Sequence, residues 1–161
     1  MTDLPHRSPV RGLADLGFGK PVPRPFVFMT VLAADREAVR VLRHDLMDML
    51  RKSGLGHLSD EFALVAQELM ANAVVHGCRG RDSTITVSVN CDGQRIRFKV
   101  QDPSDERPRV CAAAEDEISG RGMLLVQALS DRWGVEASSA GAGKSVWMEM
   151  PCTQASGQKA A

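Results

Sequence analysis

No stretch of this sequence is apolar for long enough to cross a bilayer. None approaches the roughly 20 consecutive residues that a spanning helix needs, so no membrane is expected among its partners. An excess of either charge is missing too. The 161 residues carry 20 basic and 20 acidic side chains, for a formal net charge of zero. That leaves no basic field for general nucleic-acid binding, and no direct nucleic-acid contact is expected. The N-terminus holds charges, prolines and glycines but no apolar signal core, which predicts a cytoplasmic protein. There is no CxxC pair and no Cys/His cluster at zinc spacing. Cys78, Cys91, Cys111 and Cys152 are far apart in sequence and read as reduced thiols. No internal repeat is visible.

What remains is the composition of one domain with a full core, at 43% hydrophobic residues. Residues 1–24 form a Pro/Gly-rich arm that cannot bury enough apolar surface to offset its ordering entropy. The domain is expected over 25–151, and a small, polar tail over 152–161. Phe26 to Leu32 is β-rich and predicts a strand. Asp35 is placed to cap a helix running to about Lys52, with Ala38, Val41, Leu42, Leu46, Met49 and Leu50 apolar and Gly54 as the stop. Ser59 or Asp60 is placed to cap a second helix ending near Gly77, with Phe62, Val65, Ala66, Leu69 and Ala73 inward. Thr84 to Val89 alternates strictly, Asp92-Gly93 makes a turn, and Ile96, Phe98 and Val100 alternate in the return strand. A helix over Gly122–Ser130 and strands over Arg132–Ser138 and Ser145–Met150 follow. The order predicts an α+β two-layer sandwich, with helices on one face of a mixed, mostly antiparallel sheet.

The most informative segment is Glu68-Leu-Met-Ala-Asn72-Ala-Val-Val-His76. Glu68, Asn72 and His76 recur every four residues, which stacks them on one face of a helix. The Asn72 amide oxygen is a hard ligand suited to Mg²⁺. The Glu68 carboxylate is suited to accepting a proton from a nearby water or hydroxyl. A plain solvated polar stripe has the same pattern, so what lies downstream decides.

Downstream is a long polar loop from Pro103 to Arg121, unusual in so small a domain unless it works as a lid. Asp102 precedes it, where a carboxylate can accept from an exocyclic amine such as that of adenine. Gly120-Arg121-Gly122 follows it and leads into a helix, whose unpaired N–H groups suit phosphate. Lys144 and Ser145, after Gly141-Ala142-Gly143, are a further candidate phosphate contact.

In this order the pieces resemble the anti-sigma-factor serine/threonine kinase family, small switch kinases of the GHKL ATPase superfamily, over about residues 26–150. Glu68 to Gly77 resembles the N box. Val100-Gln-Asp102-Pro-Ser104 resembles the first glycine box, Gly120-Arg121-Gly122-Met123-Leu-Leu-Val126 the second, and Gly143-Lys144-Ser145-Val-Trp147-Met-Glu149 the closing phosphate-contact strand. The resemblance implies a Bergerat fold, a histidine-kinase-like ATP-binding domain, with ATP and Mg²⁺ as cofactors. It implies that Asn72 holds Mg²⁺, with His76 in the same box, that Glu68 is the general base, and that Asp102 binds the adenine amine. It also implies that Gly120, Arg121, Gly122 and Met123 close over the phosphates, which Lys144 and Ser145 approach from the last strand.

The activity implied is phosphoryl transfer to an anti-anti-sigma (STAS-type) protein, together with sequestration of a sigma factor, often as a homodimer. One departure stands out. The superfamily has Asp-x-Gly-x-Gly where this chain has Asp102-Pro103-Ser104-Asp105-Glu106. A stiffer, more acidic start to the lid leaves open an ATP-dependent binding module with weak or no kinase activity. A histidine-kinase catalytic domain would need a phosphoacceptor helix pair that residues 1–34 cannot supply. An ATPase without a protein acceptor is the third reading. The outward face of the first helix, with Arg36, Arg40, Arg43, Asp48 and Arg51, or the adjoining first strand, is the expected partner surface.

Overall fold

The protein is described by a computed structural model covering residues 23–78, 82–105, 118–139 and 141–153, without the side chains of 118–121. The N-terminal arm, the acidic stretch of the expected lid, Cys111 and most of the tail lie outside the described residues. Within them the order is β1 (Phe26–Ala33), α1 (Arg36–Lys52), α2 (Ser59–Asn72), β2 (Thr84–Cys91), β3 (Arg95–Asp102), α3 (Ile118–Leu129), β4 (Arg132–Ala137) and β5 (Lys144–Pro151). A 3-10 turn, Gly56–Leu58, precedes α2, and a π-helical turn, Ala73–Gly77, continues it. The five strands form one sheet in the order β1-β2-β3-β5-β4. Every pairing is antiparallel, so the expected mixed sheet proves purely antiparallel.

Local chemistry explains the elements. Asp35 caps α1 as expected, its Oδ1 accepting from the Ala38 N–H at 2.8 Å. Gly54 follows that helix at φ +80°, where an L side chain is strained. α2 begins differently: Leu58 is its cap, without a side-chain bond, and Ser59 Oγ donates to the Gly56 carbonyl at 2.9 Å. The 3-10 turn thus supplies the entry that a capping side chain was expected to supply. The Asp92-Gly93 hairpin holds, with Asp92 Oδ1 accepting from the Gln94 and Arg95 N–H groups at 2.8 and 2.7 Å.

The core lies between the helices and one sheet face. α1 contributes Val39, Leu42, Leu46 and Leu50, and α2 contributes Phe62, Val65, Ala66, Leu69 and Met70. They meet Ile85, Val87, Val89, Ile96, Phe98, Val100, Val146 and Met148 from the strands. Phe62 meets Phe98 edge-to-face at 5.7 Å between centroids. Val41, one of the apolar residues of α1, is 47% exposed, whereas Val39 is in the core. α2 packs on both α1 and α3, which makes it the central helix of the layer. Among the described residues, no helix lies over the opposite sheet face. There the edge strand β1 presents Val27, Met29 and Val31, at 72%, 67% and 61% exposure. Farther across, Arg97 stacks on Trp147 at 4.1 Å, and Glu149 is ringed by Arg95, Arg97 and Arg132.

Candidate nucleotide site

The α-helical row of Glu68 and Asn72 ends where α2 does. From Ala73 the chain takes a π turn, closed by the Cys78 N–H donating to the Ala73 carbonyl at 3.0 Å. The wider turn breaks the four-residue repeat. His76 is therefore exposed and no longer in line with Glu68 and Asn72. What the π turn achieves is a close approach. A Cβ added to Gly77 would stand 2.6 Å from Asp102 Oδ1, so glycine alone lets the backbone lie against that carboxylate.

Asp102 ends β3 opposite Lys144, the first residue of β5. Its side chain is only 2% exposed and pairs with the Lys144 ammonium, itself 8% exposed, at 3.0 Å. The same Oδ1 accepts from the Ser104 N–H at 2.8 Å, an Asx turn that starts the following loop without glycine. Lys144 also lies 3.4 Å from the Ser104 carbonyl, and the Gly143 N–H donates to Asp105 Oδ1 at 3.0 Å. Gly143, at φ +101°, packs on the Asp102 carbonyl and Pro103, which no side-chain-bearing residue would allow. Among the described residues, nothing donates to Asp102 Oδ2. This buried carboxylate thus has one satisfied oxygen and one open one.

Glu68 lies across from α3. A Cβ at Gly122 would meet its Oε2 at 2.6 Å. No cation or donor among the described residues pairs with Glu68, and partial burial raises its pKa above the usual carboxylate range. Half-buried Asn72 follows one turn later, its side chain also without a hydrogen bond among the described residues. Two hard oxygen donors thus stand unpaired on one row. No group of three or more His, Cys, Asp or Glu suited to a metal occurs among the described residues. The donor set therefore fits Mg²⁺ only as an ion brought with a ligand that fills most of its shell, as a nucleotide phosphate does.

The expected site residues are not all brought together. Gly120, Arg121, Gly122 and Met123 lie inside α3, which starts at Ile118, rather than before a helix. Gly120, the third residue of the helix, has one of its opening N–H groups, those without intrahelical partners. Met123 is a core residue at 1% exposure. Strand alternation separates Lys144 from Ser145. Lys144 shares the helix-side column of Asp102, whereas Ser145 lies in the column of Gln101 and Glu136, on the helix-free face. Gly77, Ser104, Asp105 and Gly143 were not singled out as site residues in the sequence. The glycine ending the N box and the one before Lys144 were the available signals. The Ser104 and Asp105 contacts appear only once β3 and β5 pair.

The fold is shared with a crystal structure of the RsbU and RsbW domains of Rv1364c from Mycobacterium tuberculosis, at a TM-score of 0.56 and 19% identity over 78% of this chain. The chain spans 32% of that protein's length. A histidine kinase domain from a blue-light activated histidine kinase of Erythrobacter litoralis aligns at a TM-score of 0.44 and 19% identity, over 72% of this chain and 60% of that one. No curated protein matches the chain in sequence. Residues 32–150 match the sequence model of the histidine kinase-like ATPase domain, and the chain belongs to that family.

Proposed function

We propose that the protein binds Mg·ATP at this site, transfers the γ-phosphoryl group to a serine or threonine of an anti-anti-sigma, STAS-type protein, and itself sequesters a sigma factor, which stays held once the antagonist is phosphorylated. The observation that carries the nucleotide reading is Asp102: a buried carboxylate with one oxygen committed to Lys144 and Ser104, and Oδ2 left to accept. Adenine offers the matching donor, its exocyclic amine. Asn72 supplies an amide oxygen to Mg²⁺, which neutralises phosphate charge when bound. Gly120, in the opening turn of α3, presents an unpaired N–H group to phosphate. The acceptor hydroxyl oxygen bonds to the γ-phosphorus as the bond to the β-bridging oxygen breaks, and ADP leaves. The hydroxyl proton passes to Glu68. Burial supports that role, because a carboxylate with a raised pKa is the stronger base. Positioning supplies most of the rest.

Incubation with labelled ATP and a STAS-type antagonist tests the reading. The wild type is expected to label the antagonist. Glu68→Gln is expected to bind ATP but to lose about 10²–10⁴ in transfer rate. Transfer by Glu68→Gln at the wild-type rate removes Glu68 from the mechanism, and absence of ATP binding removes the nucleotide reading. A binding module with weak turnover is favoured by one observation: the loop start is clasped to β5 through Asp105–Gly143 and Ser104–Lys144 rather than freed by glycines. ATP-dependent antagonist binding without label transfer would select it. The resemblance also implies a homodimer, and the apolar outer face of edge strand β1 supports a second copy there.

A further inference from the structure

We propose that Lys144 is a positioning residue for base recognition: with the Ser104 N–H it holds Asp102 Oδ1, so that Oδ2 stands as a fixed acceptor selective for a purine bearing an amine. The inference rests on the reading of Asp102 as the base acceptor. A carboxylate is loosely held about its last torsion, and a buried one without partners is costly. Here one oxygen takes two donors, at 2.8 and 3.0 Å. Gly77 lies against the same oxygen and leaves no room for the group to retreat. Lys144 is fixed in turn. Strand pairing sets it opposite Asp102, its ammonium has a second contact at the Ser104 carbonyl, and the Gly143–Asp105 bond closes the clasp.

This placement differs from the phosphate role expected of Lys144 in the sequence. To reach a phosphate the ammonium would abandon a buried carboxylate, an unfavourable exchange. At Asp102 it acts through the carboxylate instead. An amine at the purine 6-position donates to Oδ2. A carbonyl there, as in inosine triphosphate, sets oxygen against oxygen. Release of the carboxylate by loss of Lys144 would let it turn away or take water, and the distinction between the two purines would fade.

Calorimetric affinities for ATP and inosine triphosphate, both with Mg²⁺, test this on the full chain. The wild type is expected to favour ATP at least about tenfold, the scale of one hydrogen bond to a charged group. Lys144→Met is expected to bring the ratio near one, and Lys144→Arg to restore it. A merely structural role would not move this ratio. If Lys144→Met does not fold, Lys144→Gln makes the same comparison and is expected to give an intermediate ratio. A wild-type ratio in whichever of the two variants folds overturns the proposal while leaving Asp102 as the base acceptor. A wild type that binds both nucleotides equally, or neither, overturns the Asp102 reading and the proposal together.

Discussion

Glu68, the base in the proposed transfer, keeps its charge at some expense to stability. Burial disfavours its charged form, and no partner among the described residues compensates. Its folded pKa lies above its unfolded one. The group's favourable contribution is therefore complete below the ordinary carboxylate range and is lost as pH rises through the folded pKa. Glu68→Gln should accordingly be more stable than the wild type at neutral pH and equal to it near pH 3. Because Glu68 is only partly buried, solvent screening keeps the gain below about 1 kcal/mol. Urea unfolding at the two pH values measures it, and equal stability at neutral pH would contradict the burial argument. Gly77 is the opposite kind of residue, with no chemistry of its own. Gly77→Ala forces a methyl group into the Asp102 carboxylate. The expected loss is about 1–3 kcal/mol, as for other overpacked sites, accompanied by loss of ATP affinity. Gly122→Ala makes a contrasting pair. Its Cβ crowds only the carboxylate oxygen at the far end of the flexible Glu68 side chain, so phosphoryl transfer should fall while the unfolding midpoint stays close to that of the wild type.

At the scale of elements, alternation and pairing matter more than residue identity. β5 sends Lys144 to the helix side and its neighbour Ser145 to the other, although both looked like phosphate contacts in the sequence. α1 shows the same effect. Of the five polar residues expected on its outward face, Arg36, Arg40, Asp48 and Arg51 are exposed, but Arg43 is half-buried with an unpaired Nε. Arg40 is engaged by Glu37, and Arg51 by Asp48. The far end of the sheet brings Cys91 and Cys152 together, their sulfurs 3.6 Å apart, although 61 positions separate them in sequence. Burial, first, and the neighbouring thiol push the Cys152 pKa up to about 12. The thiolate is the reactive form. Alkylation of Cys152 at pH 8, followed by site-resolved mass spectrometry, should therefore be no faster than unfolding. Rapid labelling of the folded protein would contradict this burial.

The described residues form a sandwich with helices on one sheet face; among them, the other face carries an apolar edge and a charged centre. Val27, Met29 and Val31 lie along β1, an edge strand whose outer backbone groups meet no partner strand among the described residues. Such an edge invites another chain unless it is protected. With a second copy as occupant, Met29→Lys should convert a dimer to a monomer in analytical ultracentrifugation without lowering the unfolding midpoint. Dimers that persist in Met29→Lys would move the interface elsewhere. The charged centre is self-contained, because Arg95, Arg97 and Arg132 surround Glu149, and Arg97 rests on Trp147.

The sequence alone determined the elements and their order. Each rests on a local rule: two-residue alternation in β2 and β3, the Asp35 cap, the Gly54 stop and the Asp92-Gly93 turn. It also carried the resemblance to the superfamily boxes, since each of these is a contiguous segment. It did not determine where those boxes meet. The π turn after Asn72 depends on packing of the Ala73–Gly77 turn against β3 and on the approach of Gly77 to Asp102. The start of α3 at Ile118 places both glycines inside a helix that the sequence pattern began four residues later. The pairing of Lys144 with Asp102 joins positions 42 residues apart. Only the antiparallel register of β3 and β5 sets them face to face, and only burial makes their charges choose each other over water.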